Sequence, residues 1–234
     1  TKVKWLLDNV AERWQAALHR ATQTQQILFD GPLIRLVGHD VTEQELHLEL
    51  QPTTFSVFFG TNLSDSSLPR HLRADALGGS TLVYCTDHKL LLGRRSNRVA
   101  QHPGKLHCIG GHLDPRPTGT KNEDVDVVRS VEEELVEELG LREDEILETI
   151  VLGLLRDRAV LQPELSCLTR IRRPSAELEP TNEEHDELLV LDAVPSVITE
   201  FLTQNDDRIV PVTKGTLELA SHVLASNTFP RNSH

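Results

Sequence analysis

The hydrophobic and polar positions of this chain change periodicity several times, and the changes mark its predicted elements. Apolar residues recur at helical spacing near the N-terminus, an apolar run follows over residues 33–37, and residues 46–50 alternate between apolar and polar. This pattern predicts one amphipathic helix followed by two strands. The helical positions are Trp5, Leu6, Val10, Trp14, Ala17 and Leu18. A polar, glycine-rich stretch over residues 64–79 then predicts a connection, so we expect an N-terminal α+β lobe over residues 1–77.

The remaining residues, 78–234, predict a second domain of strands and helices. Two apolar runs flank the turn Thr-Asp-His, which predicts a β-hairpin over residues 81–92. The later apolar runs predict three more strands and two closing helices, near residues 150–155, 165–171 and 188–191 and near residues 194–202 and 214–225. This order of elements predicts an α/β domain.

An acidic helix is the most informative part of this second domain. Residues 129–141 contain five glutamates and only one basic residue. Its apolar stripe is Val128, Val131, Leu135 and Leu139, and Gly140 stands where a left-handed residue would end the helix. Helical spacing places Glu134, Glu137 and Glu138 together in the last turn.

Electrostatics argues against this cluster unless something neutralises it. The helix C-terminus carries partial negative charge, and like charges three and four positions apart repel one another. A bound divalent cation would relieve the repulsion. The alternative is a solvated acidic helix face, which most charge runs are.

The upstream sequence favours the cation. A short apolar strand is followed by Gly110 and Gly111, and glycine lets a backbone carbonyl approach a ligand closely. A Gly-Gly pair, an acidic loop and a helix ending in Glu-Leu-x-Glu-Glu-x-Gly-Leu together resemble the Nudix box. The box loop over residues 115–126 is longer than in the family pattern, and Glu133 stands where that pattern has arginine.

Further motifs resemble the UDP-glucose-hydrolysing branch of the Nudix family, whose box likewise has a long loop and lacks the arginine. The resemblance spans about residues 10–214 and rests on an ordered set of short motifs: 28–36, 59–62, 93–96, 99–100, 103–104 and 110–112. It implies an α/β/α sandwich with an N-terminal α+β lobe. It also implies Mg²⁺-dependent cleavage of UDP-glucose or UDP-galactose into UMP and the sugar 1-phosphate, with Mn²⁺ as an alternative metal.

The resemblance also implies roles for particular residues. The catalytic and metal-binding residues would be Glu134, Glu137 and Glu138, with the carbonyl of Gly111 as a further metal ligand. Hard carboxylate oxygens are the ligands that Mg²⁺ prefers. The substrate-binding residues would be Arg95 for phosphate, Phe29 and Phe55 for uracil, and Ala100 and His107 in the same pocket. Core packing is the alternative for the two phenylalanines. His112 and Asp114 follow the Gly-Gly pair and could hydrogen-bond sugar hydroxyls or phosphate.

Two points stay open at the level of the sequence. The catalytic base could be Glu138 through metal-bound water, or a later carboxylate among Glu164, Glu184 and Glu187. The substrate could instead be another nucleoside diphosphate derivative, such as ADP-ribose or a dinucleotide. A binding module that recognises a nucleotide sugar without cleaving it is the third hypothesis.

The composition of the chain limits the classes of partner that it can bind. With 24 basic and 36 acidic residues the formal net charge is −12, which argues against nucleic acid and anionic membranes as partners and favours solubility. A local basic patch, Arg94, Arg95 and Arg98, can still bind phosphate, and the small-molecule nucleotide-sugar substrate is what the resemblance implies. No apolar run approaches the roughly 18 residues that span a bilayer, and no signal-peptide pattern opens the chain. Cys85, Cys108 and Cys167 are odd in number and widely spaced, with no C-x-x-C pair. This argues against a zinc site and a disulfide framework and predicts small apolar strand residues in a reducing cytoplasm.

Overall fold

The computed structural model describes residues 2–24, 26, 28–43, 45–65, 67–113, 115 and 125–226. The chain packs into two compact units. The first comprises residues 1–78, 112–126 and 156–163, and the second comprises residues 79–111, 127–155 and 164–234. The expected domain division into residues 1–77 and 78–234 stays a prediction. No helix in the described ranges is long and apolar enough to cross a bilayer.

The first unit begins with helix α1 (Lys2–Thr24) and an antiparallel pair of strands, β1 (Pro32–Val41) and β2 (Leu46–Thr54). The predicted helix and both predicted strands are confirmed. Short helix α2 (Phe55–Phe58) follows β2 directly and continues into one π-helical turn, Phe59–Leu63.

Aromatic and small apolar side chains form the core of the first unit. The buried residues of α1 are Val10, Trp14, Ala17 and Ala21, at the spacing of one helical face. The Trp14 ring meets Phe55 and Phe59 edge-on, with ring centroids 5.9 and 5.7 Å apart. A second buried group, Leu33, Phe58, Ala74 and Ala76, packs beside Phe55.

A seven-stranded sheet forms the centre of the second unit. Its strands are β3 (Gly78–Tyr84), β4 (Lys89–Arg95), β5 (Leu106–His107), β6 (Ile109–His112), β7 (Ile146–Arg156), β8 (Pro163–Ile171) and β9 (His185–Asp192). The main path runs β5-β4-β3-β8-β7, while β6 pairs with β3 and β9 with β4. The predicted β-hairpin and the three later strands are confirmed.

Helices cover both faces of this sheet. Because side chains alternate along a strand, Leu82, Leu90 and Leu92 pack with helices α4 (Pro195–Gln204) and α5 (Pro211–Ala225). Val83 and Leu91 face the opposite way and pack against helix α3 (Val127–Leu139). The expected α/β/α sandwich is therefore confirmed.

The three cysteines are buried free thiols. Cys167 lies in β8 as predicted, whereas Cys85 and Cys108 lie just outside the strands beside them. Burial raises the pKa of Cys85, Cys108 and Cys167 to about 12, because a thiolate is poorly solvated in an apolar core.

Candidate functional site

The Gly-Gly pair lies on β6, where close packing leaves no room for a side chain. Gly110 has a φ of +144°, and a β-carbon there would lie 2.2 Å from the carbonyl oxygen of Gly79. A β-carbon on Gly111 would lie 2.7 Å from Oε1 of Glu134. The pair therefore permits close approach to a neighbouring strand and to a carboxylate of α3.

Helix α3 ends where the sequence predicts. Gly140 has a φ of +62°, and its N–H donates to the carbonyl of Val136 at 3.1 Å, which is typical of a left-handed helix end. Thr181 satisfies two further carbonyls: its N–H donates to Glu138 at 2.8 Å and its hydroxyl donates to Glu137 at 2.5 Å. The negative end of the helix is thus fixed by neutral donors.

Glu138 carries the central feature of the site. Its side chain is 1% exposed, and Oε2 accepts a hydrogen bond from the N–H of Gly110 at 3.0 Å. The Nε2 atom of His185 lies 3.3 Å from the same oxygen. Within the described residues, the buried Oε1 atom has no hydrogen-bond partner. A buried carboxylate oxygen without a partner is costly, and a bound cation would satisfy it.

Two of the three glutamates predicted to bind metal lie against the Gly-Gly pair. Glu138 contacts Gly110 and Glu134 lies against Gly111, whereas Glu137 is exposed. Among the residues that the structure describes, no three His, Cys, Asp or Glu side chains form a ready-made metal cluster. Mg²⁺ is usually held by one or two carboxylates together with water and substrate phosphate, so this donor set fits Mg²⁺.

Arg95 lies at the end of β4 among acidic side chains. Its Nε–H donates to the carbonyl of Gln101 at 3.0 Å, which fixes the plane of the guanidinium group. Burial lowers the pKa of Arg95, and the negative charges of Glu184, Glu138 and Glu164 act in the opposite direction. Because an arginine stays protonated in proteins, it places one permanent positive charge among three carboxylates.

The candidate bases have different surroundings. Glu184 is exposed as a whole residue, but neighbouring atoms partly desolvate its carboxylate, which raises its pKa. The charge of Glu138 raises the pKa further, while Arg95 opposes the shift. Glu187 is paired instead with Arg94. Sequence reasoning could not separate these residues, because their surroundings depend on how β9 pairs with β4.

Glu164 belongs to a buried polar group that includes the predicted substrate residue His107. It accepts a hydrogen bond from the hydroxyl of Ser80, and His107 Nε2 lies 3.5 Å from the same carboxylate oxygen. His107 is 8% exposed. Ala100, also predicted to bind substrate, is half-buried in the turn that follows β4.

The other predicted substrate residues lie in the first unit. The ring of Phe55 meets that of His112 edge-on at 5.6 Å, and His112 also lies 5.1 Å from Phe58. The Phe29 side chain is 74% exposed and its ring lies over Gly31. Asp114 and most of the inserted loop, residues 116–124, lie outside the described residues. The substrate roles of all these residues stay predictions.

Comparison with known proteins gives relatives of limited coverage, and no protein-family model matches the chain. It is 24% identical to Nudix hydrolase 9 of Arabidopsis thaliana, over 68% of this chain and 61% of that protein. It is 33% identical to the uridine diphosphate glucose pyrophosphatase NUDT22 of Mus musculus, over 40% of this chain and 36% of that protein. The Homo sapiens protein of that name is 28% identical, over 62% of this chain and 55% of its own length.

The chain thus spans 36% to 61% of the length of these curated relatives. The expected resemblance to Nudix hydrolases, including the UDP-glucose branch, is confirmed. Among solved structures, the MutT protein from Methanosarcina mazei Go1 has a TM-score of 0.47 at 16% identity, covering 65% of this chain and 95% of its own. DR0079 from Deinococcus radiodurans also has a TM-score of 0.47 at 16% identity, covering 80% and 96%.

Proposed function

We propose that this chain, which is similar in sequence to Nudix hydrolases, is a Mg²⁺-dependent hydrolase of UDP-glucose and UDP-galactose that releases UMP and the sugar 1-phosphate. The observation that carries the proposal is the buried Oε1 atom of Glu138, which has no partner in the described part of the chain. It lies at the end of an acidic helix, beside a Gly-Gly pair against which Glu134 also lies. The choice of a UDP-sugar is supported by the similarity to the UDP-glucose pyrophosphatases.

Glu138 and Glu134 would hold the metal, together with the carbonyl of Gly111. The exposed Glu137 would serve as a third ligand or hold a water at the end of the helix. When bound, Mg²⁺ neutralises diphosphate charge and lowers the pKa of a bound water. Mn²⁺ would support the same chemistry.

Arg95 would bind the diphosphate. Its guanidinium group is oriented through the hydrogen bond from Nε to Gln101, and arginine can donate to two phosphate oxygens at once. The charge of Arg95 offsets part of the negative charge of Glu184, Glu138 and Glu164 before substrate arrives. Because a fixed donor loses little freedom on binding, Arg95 serves positioning as well as charge.

Glu184 is the base that the surroundings favour. Its raised pKa brings the carboxylate nearer to the working pH of a general base. Glu187 is committed to Arg94, and Glu164 is committed to Ser80. Glu184 would accept the proton of the attacking water, and protonated Glu184 would then return that proton to solvent.

The substrate assignment is tested by incubating the purified chain with Mg²⁺ and UDP-glucose, UDP-galactose, ADP-ribose or a dinucleoside polyphosphate, with phosphorus NMR of the products. We expect UMP and sugar 1-phosphate from the two UDP-sugars at the highest kcat/KM. Faster cleavage of ADP-ribose or the dinucleotide would contradict the UDP-sugar assignment but would still show that the chain is a hydrolase. Tight binding of UDP-glucose without products would indicate a binding module.

A further inference from the structure

The side chain of His185 lies against Gly93 of the neighbouring strand β4. His185 is the first residue of β9 and is 4% exposed. A β-carbon on Gly93 would lie 2.3 Å from Nδ1 of His185. The imidazole ring therefore fills the space that glycine leaves on the neighbouring strand.

The strand pairing is irregular at the same place. Arg94 pairs with Glu187, but Arg95 pairs with His185, so that Asp186 is the extra residue of a bulge. A β-bulge changes the direction in which side chains point, and bulges are common beside active sites. Here the bulge is next to the histidine that lies against Glu138.

His185 contacts one of the two carboxylate oxygens of Glu138. Nε2 of His185 lies 3.3 Å from Oε2 of Glu138, the oxygen that also accepts from the N–H of Gly110. Oε1 has no partner among the described residues. Both ring nitrogens of His185 are also without a hydrogen-bond partner among the described residues, so the ring lies in close contact with Oε2 and does not hydrogen-bond to it. The hydrogen bond from Gly110 and the packed His185 ring thus restrain one oxygen and leave the other available to a cation.

The acidic helix does not supply this restraint itself. Glu133, at the position where the Nudix pattern has arginine, pairs with Arg129 at 3.2 Å on the surface of α3. The restraint on Glu138 therefore comes from β6 and β9.

We propose that His185 is a positioning residue whose Nε2 lies against Oε2 of Glu138 and thereby directs Oε1 toward the metal. The inference rests on the proposed function and deepens it. A side chain that orients a metal ligand commonly changes metal affinity by about 10–100-fold when it is removed. If His185 only filled space, an apolar ring of similar size would replace it without that loss.

The test compares His185→Phe, which keeps a ring but removes the nitrogens, with His185→Gln, whose amide N–H can reach the carboxylate. Val190→Ala, at an exposed position of the same strand, is the matched control. Mn²⁺ affinity is measured by electron paramagnetic resonance on the protein without substrate, and kcat and KM for UDP-glucose are measured separately.

We expect His185→Phe to bind Mn²⁺ at least about tenfold more weakly and to lose kcat with little change in KM. His185→Gln should recover most of the affinity, and Val190→Ala should match the wild type. Wild-type Mn²⁺ affinity in His185→Phe would overturn the proposal, as would equal losses in the Phe and Gln variants. If His185→Phe does not fold, the comparison of His185→Gln with the shorter His185→Asn decides, because equal affinity loss in both again overturns it.

Failure of the proposed function gives a different result. A wild-type chain that binds Mn²⁺ but cleaves no nucleotide sugar would contradict the substrate assignment, and the Mn²⁺ affinities of the variants would still decide the role of His185. A wild-type chain that binds no divalent metal would contradict both.

Discussion

The backbone N–H of Gly110 donates to Oε2 of Glu138 at 3.0 Å, which joins the Gly-Gly pair on β6 to the last turn of helix α3. The two residues come from the two ends of the motif that the long loop separates. Because Glu138 is buried and one of its oxygens is restrained, the carboxylate is held in place before any ligand binds. Such preorganisation reduces the cost of binding a cation.

The three cysteines should resist alkylation while the chain is folded. Burial raises the pKa of Cys85, Cys108 and Cys167 to about 12. In a buffer at a pH of about 8.5, the ordinary pKa of cysteine, almost none of these thiols is therefore ionised. We expect iodoacetamide at that pH to label none of the three in the native protein and all three in urea, counted by mass spectrometry. Labelling of the folded protein at the rate of the unfolded chain would show that these residues are accessible.

Replacing Arg95 should damage substrate recognition more than replacing its neighbour. Arg95→Ala should lower kcat/KM for UDP-glucose by a factor that corresponds to about 1.5–3 kcal/mol of lost transition-state stabilisation, the range for a hydrogen bond to a charged group. Arg94→Ala is the matched control, because Arg94 pairs with Glu187 on the same strand pair. Steady-state kinetics of the two variants give the comparison, and equal small effects would remove Arg95 from the phosphate site.

Glu184 should make the stability of the metal-free protein depend on pH. Its pKa is raised by partial desolvation of the carboxylate and by the charge of Glu138, so its contribution to stability is present below the unfolded-state pKa of about 4.3 and is lost as pH rises through the folded-state pKa. Glu184→Gln should therefore raise Tm at neutral pH, and the difference should vanish in acid.

The matched control is Glu183→Gln, which removes a neighbouring carboxylate that pairs with Arg98 and should not raise Tm at neutral pH. Thermal melts across pH, in the presence of a metal chelator, give the result. A Tm of Glu184→Gln equal to or below that of the wild type at neutral pH would contradict the raised pKa. If Glu184 is the general base, the variant should also lose kcat at every pH.

The fold was predictable where the pattern is local. Helix α3 follows from its apolar stripe and ends at Gly140, because periodicity and a left-handed glycine are properties of neighbouring residues. The β-hairpin formed by β3 and β4 follows for the same reason.

The site was predictable only in part. Residues 137 and 138 are both acidic and adjacent, but a helix turns by about 100° per residue, so Glu138 is buried whereas Glu137 is exposed. The contact between His185 and Glu138 depends on a bulge in the pairing of β9 with β4. Long-range pairing of this kind leaves no local pattern in the sequence, although Gly93 leaves the space that the His185 ring fills.

The most direct test of the account is the activity of Glu138→Gln at saturating Mg²⁺, followed by phosphorus NMR with UDP-glucose. Glutamine keeps the size of the side chain and can still accept from Gly110, but it removes the charge that would hold the metal. Glu133→Gln, a glutamate of the same helix that pairs with Arg129, is the matched control. We predict that Glu138→Gln forms no UMP or glucose 1-phosphate, keeps its metal-free Tm or raises it, and binds Mn²⁺ weakly, while Glu133→Gln retains activity. Wild-type kcat in Glu138→Gln would contradict the account.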